Sequence, residues 1–308
     1  MENTPAIIHE DNHIIVVIKP QGMPTQADAS GDLDLLTQIK EYRAINEDKP
    51  GEAFVGLVHR LDRVTGGVMV FAKTSKAAKR LSLQIQGEQW QKGENAYVQG
   101  DDDFRKKYLA VVHGTPKEPI ARLEHYLLKD EKQNKVEVVG AAIQGAKKAV
   151  LNYRVLRSVD LGIAKIEKVK SKEEEATALT DRILSSFEFQ NNTSLKRDTR
   201  RGESDDGQQG IEIEKKVETE KISLVEVDLL TGRSHQIRVQ LSKIGNPIYG
   251  DKKYNAKVAS KDIALWAYEL SFVHPTTLER MKFVVNPPEI APWDKFDFGR
   301  KGHLSKDV

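Results

Sequence analysis

A single carboxylate lies between two arginines in the stretch His59-Arg60-Leu61-Asp62-Arg63. A neighbouring guanidinium favours the charged form of a carboxyl group, and the hydrogen bonds between them are charge-assisted. An ionised aspartate held in this way can act as a nucleophile, as a base, or as half of a structural salt bridge. Taken alone, the pattern fits a salt bridge more often than catalysis, so other parts of the chain must decide.

A second cluster of chemically active residues runs from Thr231 to Arg238, with the sequence Thr-Gly-Arg-Ser-His-Gln-Ile-Arg. It predicts the start of a helix with Ser234 as N-cap, where free backbone N–H groups and the positive helix end would attract an anion such as phosphate. Arg238 follows Ser234 by one turn, so both side chains face one way. The alternative is a surface helix with ordinary charges.

Tyr108 lies in a predicted strand after Arg105-Lys106-Lys107. Strand alternation places Lys106, Tyr108 and Ala110 on one face. A tyrosine in this setting usually packs in a core. Beside basic residues it could instead stack on a nucleobase.

The elements that must position these residues are mostly strands. Alternating or continuous apolar runs predict strands, 3.6-residue periodicity predicts helices, and no regular alternation of strand and helix is present. We therefore expect an α+β fold with a mixed, largely antiparallel central sheet flanked by helices. The predicted elements are a hairpin over 6–19, a helix over 35–43, strand-turn-strand over 54–73, a helix from Thr74, strands within 104–114, 136–139, 149–156 and 221–229, and a helix after Thr231 that Gly245 and Pro247 end.

The stretch from Lys165 to Glu220 differs in composition from the rest of the chain. It holds 11 basic and 14 acidic residues and is too polar to bury a core. We expect it to form a flexible insertion within one catalytic domain that spans residues 1–308.

Composition excludes several classes of protein. The 308 residues include no cysteine, which removes disulfides, thiolate metal sites and cysteine nucleophiles, and the net charge of +2 neither demands nor excludes a nucleic-acid partner. The N-terminus has no secretory signal pattern and no apolar run is long enough to cross a membrane, so we expect a cytoplasmic protein. The run Asp101 to Asp103 has no spaced partner for a metal and is expected to be a solvated loop.

In this order, the segments resemble the RluA-type pseudouridine synthases. The stretches that carry the resemblance are His59 to Arg63 with Thr65-Gly66-Gly67, Lys107 to Gly114, and Thr231 to Arg238, supported by Ile14 to Gly22, Pro247 to Asp251 and Leu270 to Pro275. The resemblance implies the pseudouridine synthase fold and an isomerase that converts uridine in ribosomal or transfer RNA to pseudouridine. It also implies that no metal and no organic cofactor is used.

Carried over by motif, Asp62 is the expected catalytic carboxylate, Tyr108 packs against the target base and helps to move a proton at C5, and Arg238 pairs with Asp62. Five further residues are expected to bind the RNA substrate: Arg60, Arg63, Arg233, His235 and Gln236. The carboxylate could attack C1′ or abstract the C2′ proton, and the sequence leaves both routes open.

Two positions depart from the family pattern, since Gly66 replaces a usual serine and Gln240 a frequent histidine. The chain is also expected to lack the small N-terminal S4 RNA-binding domain of many relatives, and a monomer is the simplest expectation. A non-catalytic RNA-binding or ribosome-assembly factor on the same fold is the alternative function. A metal-dependent nuclease built on Asp101 to Asp103 is a more distant one.

Overall fold

The computed structural model describes residues 4–47, 53–87, 90–92, 95–97, 104–169, 213–255 and 262–298. Thirteen strands are found within these residues, together with three helices and a 3-10 turn at Trp293–Lys295. The strands are β1 (Ala6–Glu10), β2 (Ile14–Lys19), β3 (Gly56–Leu57), β4 (Gly66–Ala72), β5 (Trp90–Lys92), β6 (Asn95–Tyr97), β7 (Arg105–His113), β8 (Ile120–Asp130), β9 (Lys135–Val139), β10 (Lys147–Val169), β11 (Ile213–Leu229), β12 (Leu265–Val273) and β13 (Arg280–Val284); the helices are α1 (Leu35–Asn46), α2 (Ser75–Gln86) and α3 (Gln236–Lys243).

Eleven of these strands form one sheet in the order β1-β2-β4-β12-β7-β11-β10-β8-β9, with β3 paired to β4 and β13 paired to β12. Strands β4 and β12 run parallel, whereas β12 and β7, β7 and β11, and β2 and β4 run antiparallel. The predicted mixed, largely antiparallel sheet with helices is confirmed.

The centre of the sheet is buried on both faces. Every residue from Gly66 to Ala72 in β4 is buried, and Ile14 to Val17 in β2 have no exposed surface. A strand with one face exposed to solvent would alternate apolar and polar residues. The continuous apolar run of β4 therefore agrees with a strand that is packed against protein on both faces.

The helices begin at residues suited to that place. Asp34 caps α1 by accepting a hydrogen bond from the Thr37 N–H, and Thr74 caps α2 by accepting one from the Ala77 N–H. Gly87 ends α2 in the left-handed conformation that favours glycine.

The chain divides into two compact units, one formed by residues 1–159 with 221–308 and the other by Asp160–Glu220. The second unit overlaps the expected insertion at 165–220, of which 170–212 lie outside the described residues. The run Asp101 to Asp103 lies outside them as well. All site residues described below belong to the first unit.

No helix among the described residues is long and apolar enough to cross a membrane. Within the same residues no group of three or more histidine and acidic side chains could hold a metal ion.

Candidate active site

Asp62 lies in the loop that joins β3 to β4. The loop turns sharply after it, because the Thr65 N–H donates to the Asp62 carbonyl oxygen at 2.9 Å. The Asp62 side chain is 32% exposed, which leaves part of the carboxylate open to a ligand.

A buried lysine links this loop to the segment that follows β2. The Lys19 ammonium has no exposed surface and donates to the carbonyl oxygens of Pro20, Met23 and Arg63 at 3.0, 2.7 and 3.1 Å. Burial lowers the pKa of Lys19 to about 7; the Asp62 charge opposes this change and the Arg63 charge adds to it. Lys19 therefore joins the chain after β2 to the residue that follows Asp62.

Two more side chains from the segment after β2 hold the same loop. The Thr25 hydroxyl donates to the Leu61 carbonyl oxygen at 2.8 Å, and the Gln21 amide donates to the Val64 carbonyl oxygen at 3.0 Å. The backbone is thus fixed immediately before and after Asp62.

Arg238 approaches Asp62 from α3, on a distant part of the chain. Its Nη1 lies 3.8 Å from Asp62 Oδ2, so the expected pair is present. Its closer partner is Asp251, which accepts from Nε at 2.8 Å and from Nη2 at 2.7 Å. Burial opposes the charge on Arg238, but the Asp251 hydrogen bonds and charge outweigh it and raise the pKa of Arg238. Arg238 is therefore fixed by Asp251 and presents its remaining nitrogen to Asp62.

The arginines beside Asp62 in sequence do not hold it. Arg63 turns away to bind the Ser30 hydroxyl and the carboxylates of Asp28 and Asp32. Arg60 is exposed. The expectation that the flanking arginines hold the carboxylate is corrected: Arg238 supplies the ion pair.

The start of α3 also differs from the prediction. The helix begins at Gln236 after His235, which adopts a left-handed conformation with φ 51°, and Ser234 is not its N-cap. Instead Gln236 Oε1 accepts from the Arg233 N–H at 3.0 Å and from the Thr231 hydroxyl at 2.8 Å. The side chain of Gln236 therefore closes the 231–236 loop from within the first turn of the helix.

Gln236 itself is buried and its amide nitrogen donates to the Val150 carbonyl oxygen at 3.0 Å. Its polar atoms bind the protein, so the geometry gives it a positioning role rather than the expected direct contact with RNA. Arg233 is exposed, with Nε donating to the Lys148 carbonyl oxygen at 3.1 Å.

His235 and Arg238 share a neighbour in Tyr254. The Tyr254 hydroxyl accepts from the Val136 N–H at 2.9 Å and lies 2.8 Å from His235 Nδ1, to which it can donate its proton. The Arg238 guanidinium lies 5.2 Å from the centre of the Tyr254 ring. Burial lowers the pKa of His235, which agrees with a neutral imidazole that accepts at Nδ1.

Tyr108 lies on β7, where its backbone pairs with Val227 of β11 and Ala267 of β12. Only 6% of the residue is exposed. Burial, and secondly the charge of Asp62, raise its pKa well above the ordinary value, so the phenol keeps its proton. Within the described residues its hydroxyl makes no hydrogen bond to protein.

One cleft of about 1240 Å³ brings these parts together. All eight residues expected from the sequence line it: Asp62, Tyr108, Arg238, Arg60, Arg63, Arg233, His235 and Gln236. Its lining holds seven arginine and lysine side chains against two aspartates. This charge and volume suit an anionic polymer with one unit inserted into the cleft.

The structure explains the two departures from the family pattern. A β-carbon on Gly66 would overlap the ring of Trp266, so this chain has no room for a side chain there. Gln240 is fully buried, and its amide nitrogen lies 3.0 Å from His125 Nδ1 and donates to the Ala149 carbonyl oxygen at 3.2 Å. Neither residue lines the cleft.

Sequence reasoning missed Lys19, Asp251, Tyr254 and Lys106 as parts of the site. Lys19 and Asp251 lie inside stretches already noted for their resemblance, and that was the available signal. Tyr254 lies outside those stretches, and the sequence gives no sign of its position.

Comparison with known proteins agrees with the geometry. A family model described as RNA pseudouridylate synthase matches residues 13–243. An uncharacterized RNA pseudouridine synthase of Aquifex aeolicus (strain VF5) is 29% identical over 304 residues, covering 94% of this chain and 71% of that protein. The dual-specificity RNA pseudouridine synthase RluA of Haemophilus influenzae is 26% identical over 284 residues and 90% of each chain.

Ribosomal large subunit pseudouridine synthase C of Buchnera aphidicola is 25% identical over 287 residues, which are 90% of this chain and 66% of that protein, so this chain spans about two thirds of that relative. Among solved structures, human RNA pseudouridylate synthase domain containing 1 superposes with a TM-score of 0.58 at 18% identity, covering 96% of this chain and 88% of that one. At that identity the superposition supports the shared fold.

Proposed function

This chain belongs to the RNA pseudouridylate synthase family, isomerases that act on uridine in RNA, and we propose that Asp62 is its reactive carboxylate. The observation that carries the proposal is the position of Asp62. Its partly exposed carboxylate lies in a basic cleft, 3.8 Å from an arginine that a second carboxylate fixes.

The reaction breaks the bond between C1′ and N1 and forms one between C1′ and C5. A proton leaves C5 and N1 gains one, so no oxidant, reductant or added group is consumed. Asp62 can attack C1′ to form a covalent intermediate, or remove the C2′ proton. Both routes need a carboxylate with free lone pairs, and the single long contact to Arg238 leaves them free.

Tyr108 and Arg238 support this chemistry in different ways. The Tyr108 ring offers a flat surface to the detached base, and its protonated hydroxyl is available to handle a proton at C5. Arg238 orients Asp62 and compensates its charge in the partly buried site.

The remaining lining residues are proposed to grip RNA. Arg60 and Arg233 are exposed cations suited to phosphate contacts, and His235 lines the same cleft. Arg63 is exposed as well, and it would exchange its carboxylate partners Asp28 and Asp32 for a phosphate when RNA binds. A uridine within a stack cannot reach Asp62, so the target nucleotide must turn out of the RNA into the cleft.

We propose ribosomal or transfer RNA as the substrate, with the protein acting as a cytoplasmic monomer without a metal. The names of the similar proteins support this substrate class, since one refers to the large ribosomal subunit. Light scattering on the purified protein tests the monomer, and activity after treatment with a chelator tests the absence of a metal requirement.

Replacement of Asp62 by asparagine tests the proposed function directly. Asp62→Asn should abolish pseudouridine formation, measured by carbodiimide labelling and mass spectrometry of RNA, while RNA binding stays within about twofold. Asp28→Asn is the matched control, because it removes one negative charge from the same cleft. It should leave turnover close to that of the natural protein.

If Asp62→Asn restored both the missing modification and growth in a deletion strain, Asp62 would not be the reactive group. If it restored growth without the modification, the alternative of a non-catalytic RNA-binding or assembly factor would replace the proposal.

A further inference from the structure

Lys106 is a cleft residue that the proposed reaction does not use. It lies two residues before Tyr108 on β7, and alternation places both side chains on the same face of the strand. Both line the cleft. Within the described residues the half-buried Lys106 ammonium has no hydrogen bond and no ion pair, and it lies 5.8 Å from the centre of the Phe104 ring.

Its neighbours on the strand are paired. Arg105 binds Asp228 at 2.6 Å, and Lys107, which points to the opposite face, lies 3.8 Å from Glu226. The same strand therefore offers a lysine with a carboxylate partner directly beside one without.

The Lys106 ammonium faces the loop after β11. A β-carbon built on Gly232 would lie 3.6 Å from Lys106 Nζ, so the two residues are in close contact. Gly232 and Ser234 are exposed, and within the described residues their backbone N–H groups donate no hydrogen bond. Exposed Arg233 lies between them. The loop that Lys106 contacts at Gly232 thus carries an exposed guanidinium and two N–H groups without partners among the described residues, and with an ammonium these are the groups that bind phosphate.

Lys106 lies about 7 Å along β7 from Tyr108, on the same face of the strand. It is therefore placed to meet a group next to the base that packs on Tyr108. A half-buried cation without an anionic partner is costly, and a phosphate would remove that cost.

We propose that Lys106, together with the 232–234 loop, binds the backbone phosphate of a nucleotide next to the target uridine. The exposed Leu230 and the ring of Phe104 line the same end of the cleft and give apolar surface to the neighbouring base. This inference rests on the proposed function.

Binding measured against salt tests the phosphate contact. The probe is a labelled stem-loop RNA with one uridine in its loop, and every variant carries Asp62→Asn so that no turnover occurs. Lys106→Gln should weaken binding about tenfold and make the slope of log K against log[salt] less negative by about 0.7–0.9, the loss of one phosphate contact. Lys106→Arg should keep the slope, and Lys107→Gln, the matched control, should keep both.

Neutral phosphates locate the contact. In a series of RNAs, each of the phosphates flanking the loop uridine is replaced in turn by an uncharged methylphosphonate. At one position the methylphosphonate should weaken binding by the protein with Lys106 about as much as Lys106→Gln weakens binding of the natural RNA. The same methylphosphonate should not weaken binding by Lys106→Gln any further. An unchanged affinity and slope for Lys106→Gln would overturn the proposal. So would a series in which, at every position, the losses of affinity from Lys106→Gln and from the methylphosphonate simply add.

Failure of the proposed function gives a different result. If the natural protein converted no uridine in cellular RNA, the function would fail whatever the salt slopes show. If it converted uridine and Lys106→Gln bound RNA with the natural slope, this inference alone would fail.

Discussion

Tyr108 places a protonated phenol in the wall of the cleft, because burial and the nearby Asp62 charge hold its pKa high. Tyr108→Phe keeps the ring that packs on the base and removes the hydroxyl alone. We expect RNA affinity to stay unchanged and the single-turnover rate to fall about 10²-fold, the usual size of a lost proton-transfer group. A natural rate in Tyr108→Phe would reduce Tyr108 to a packing surface.

Asp251 binds Arg238 with both oxygens and is 1% exposed. Asp251→Ala should lower the free energy of unfolding by about 3–5 kcal/mol, because it leaves a buried cation without its main partner. Urea denaturation measures the change.

The control for this change is Asp294→Ala, which removes a half-exposed carboxylate paired with Lys295 at the surface. Its cost should be below about 1 kcal/mol. Equal losses in the two variants would mean that Asp251 contributes no more than a surface pair.

The sequence identified eight residues that line the cleft, but neither Lys106, which also lines it, nor the residues that hold the site in place. Asp62, Tyr108 and Arg238 belong to short segments whose chemistry is visible from composition and spacing. The primary partner of Arg238 is Asp251, 13 residues away, and only the folded chain decides which of two aspartates it binds more closely. Lys19 looks like the end of a strand until its three carbonyl partners are known.

At the scale of elements, the segment after β2 and the Asp62 loop form one unit through Lys19. Burial lowers the pKa of Lys19 from 10.5 to about 7, with Asp62 opposing the change and Arg63 adding to it. Between these pH values the unfolded chain holds a proton that the folded chain has released. The contribution of Lys19 to the free energy of unfolding is therefore lowest below pH 7 and rises with pH up to about 10.5.

Lys19→Met has no titrating group at this position, so it should lack the contribution of Lys19 to the rise of the free energy of unfolding with pH. Urea denaturation of the natural protein and of Lys19→Met at pH 7 and at pH 10 should give a difference that grows with pH in favour of the natural protein. Each unit by which the pKa of Lys19 is lower in the folded than in the unfolded chain adds about 1.4 kcal/mol to the full rise of the free energy of unfolding with pH. Parallel stabilities at the two pH values would contradict burial of a titrating lysine.

The parallel contact between β4 and β12 depends on Gly66. Gly66→Ala should lower the free energy of unfolding by about 1–3 kcal/mol, because its methyl group overlaps the Trp266 ring. Gly140→Ala is the control, since nothing lies within 4 Å of a β-carbon there. Thermal unfolding compares the two, and equal midpoints would show that Trp266 moves aside freely.

The order of the elements was largely predictable, and the exact start of α3 was not. Periodicity located the hairpin, both early helices and the strands at 105–113 and 221–229. Local propensity favours Ser234 as N-cap, but the helix begins at Gln236 after a left-handed His235. The Gln236 side chain closes the preceding loop and donates to Val150, a contact between distant parts of the chain that no local pattern reveals.

For the whole molecule, the acidic stretch is proposed to be dispensable for the reaction. Strands β10 and β11 are neighbours in the sheet, so a short glycine-serine turn can replace 170–212. The shortened protein should keep kcat and RNA affinity within about twofold, because the Lys165-to-Glu220 stretch carries more acidic than basic residues and would repel phosphate. A larger loss of RNA affinity would assign it a part in binding.

Strand β12 separates β4 from β7 in the sheet. The last of the eight candidate site residues is Arg238, and yet the strands beside Asp62 and Tyr108 reach their places only once residues 265–273 have been synthesised. A growing chain thus carries the full set of reactive groups before it can use them. We therefore expect modification of RNA by this protein to begin only after β12 has left the ribosome and entered the sheet.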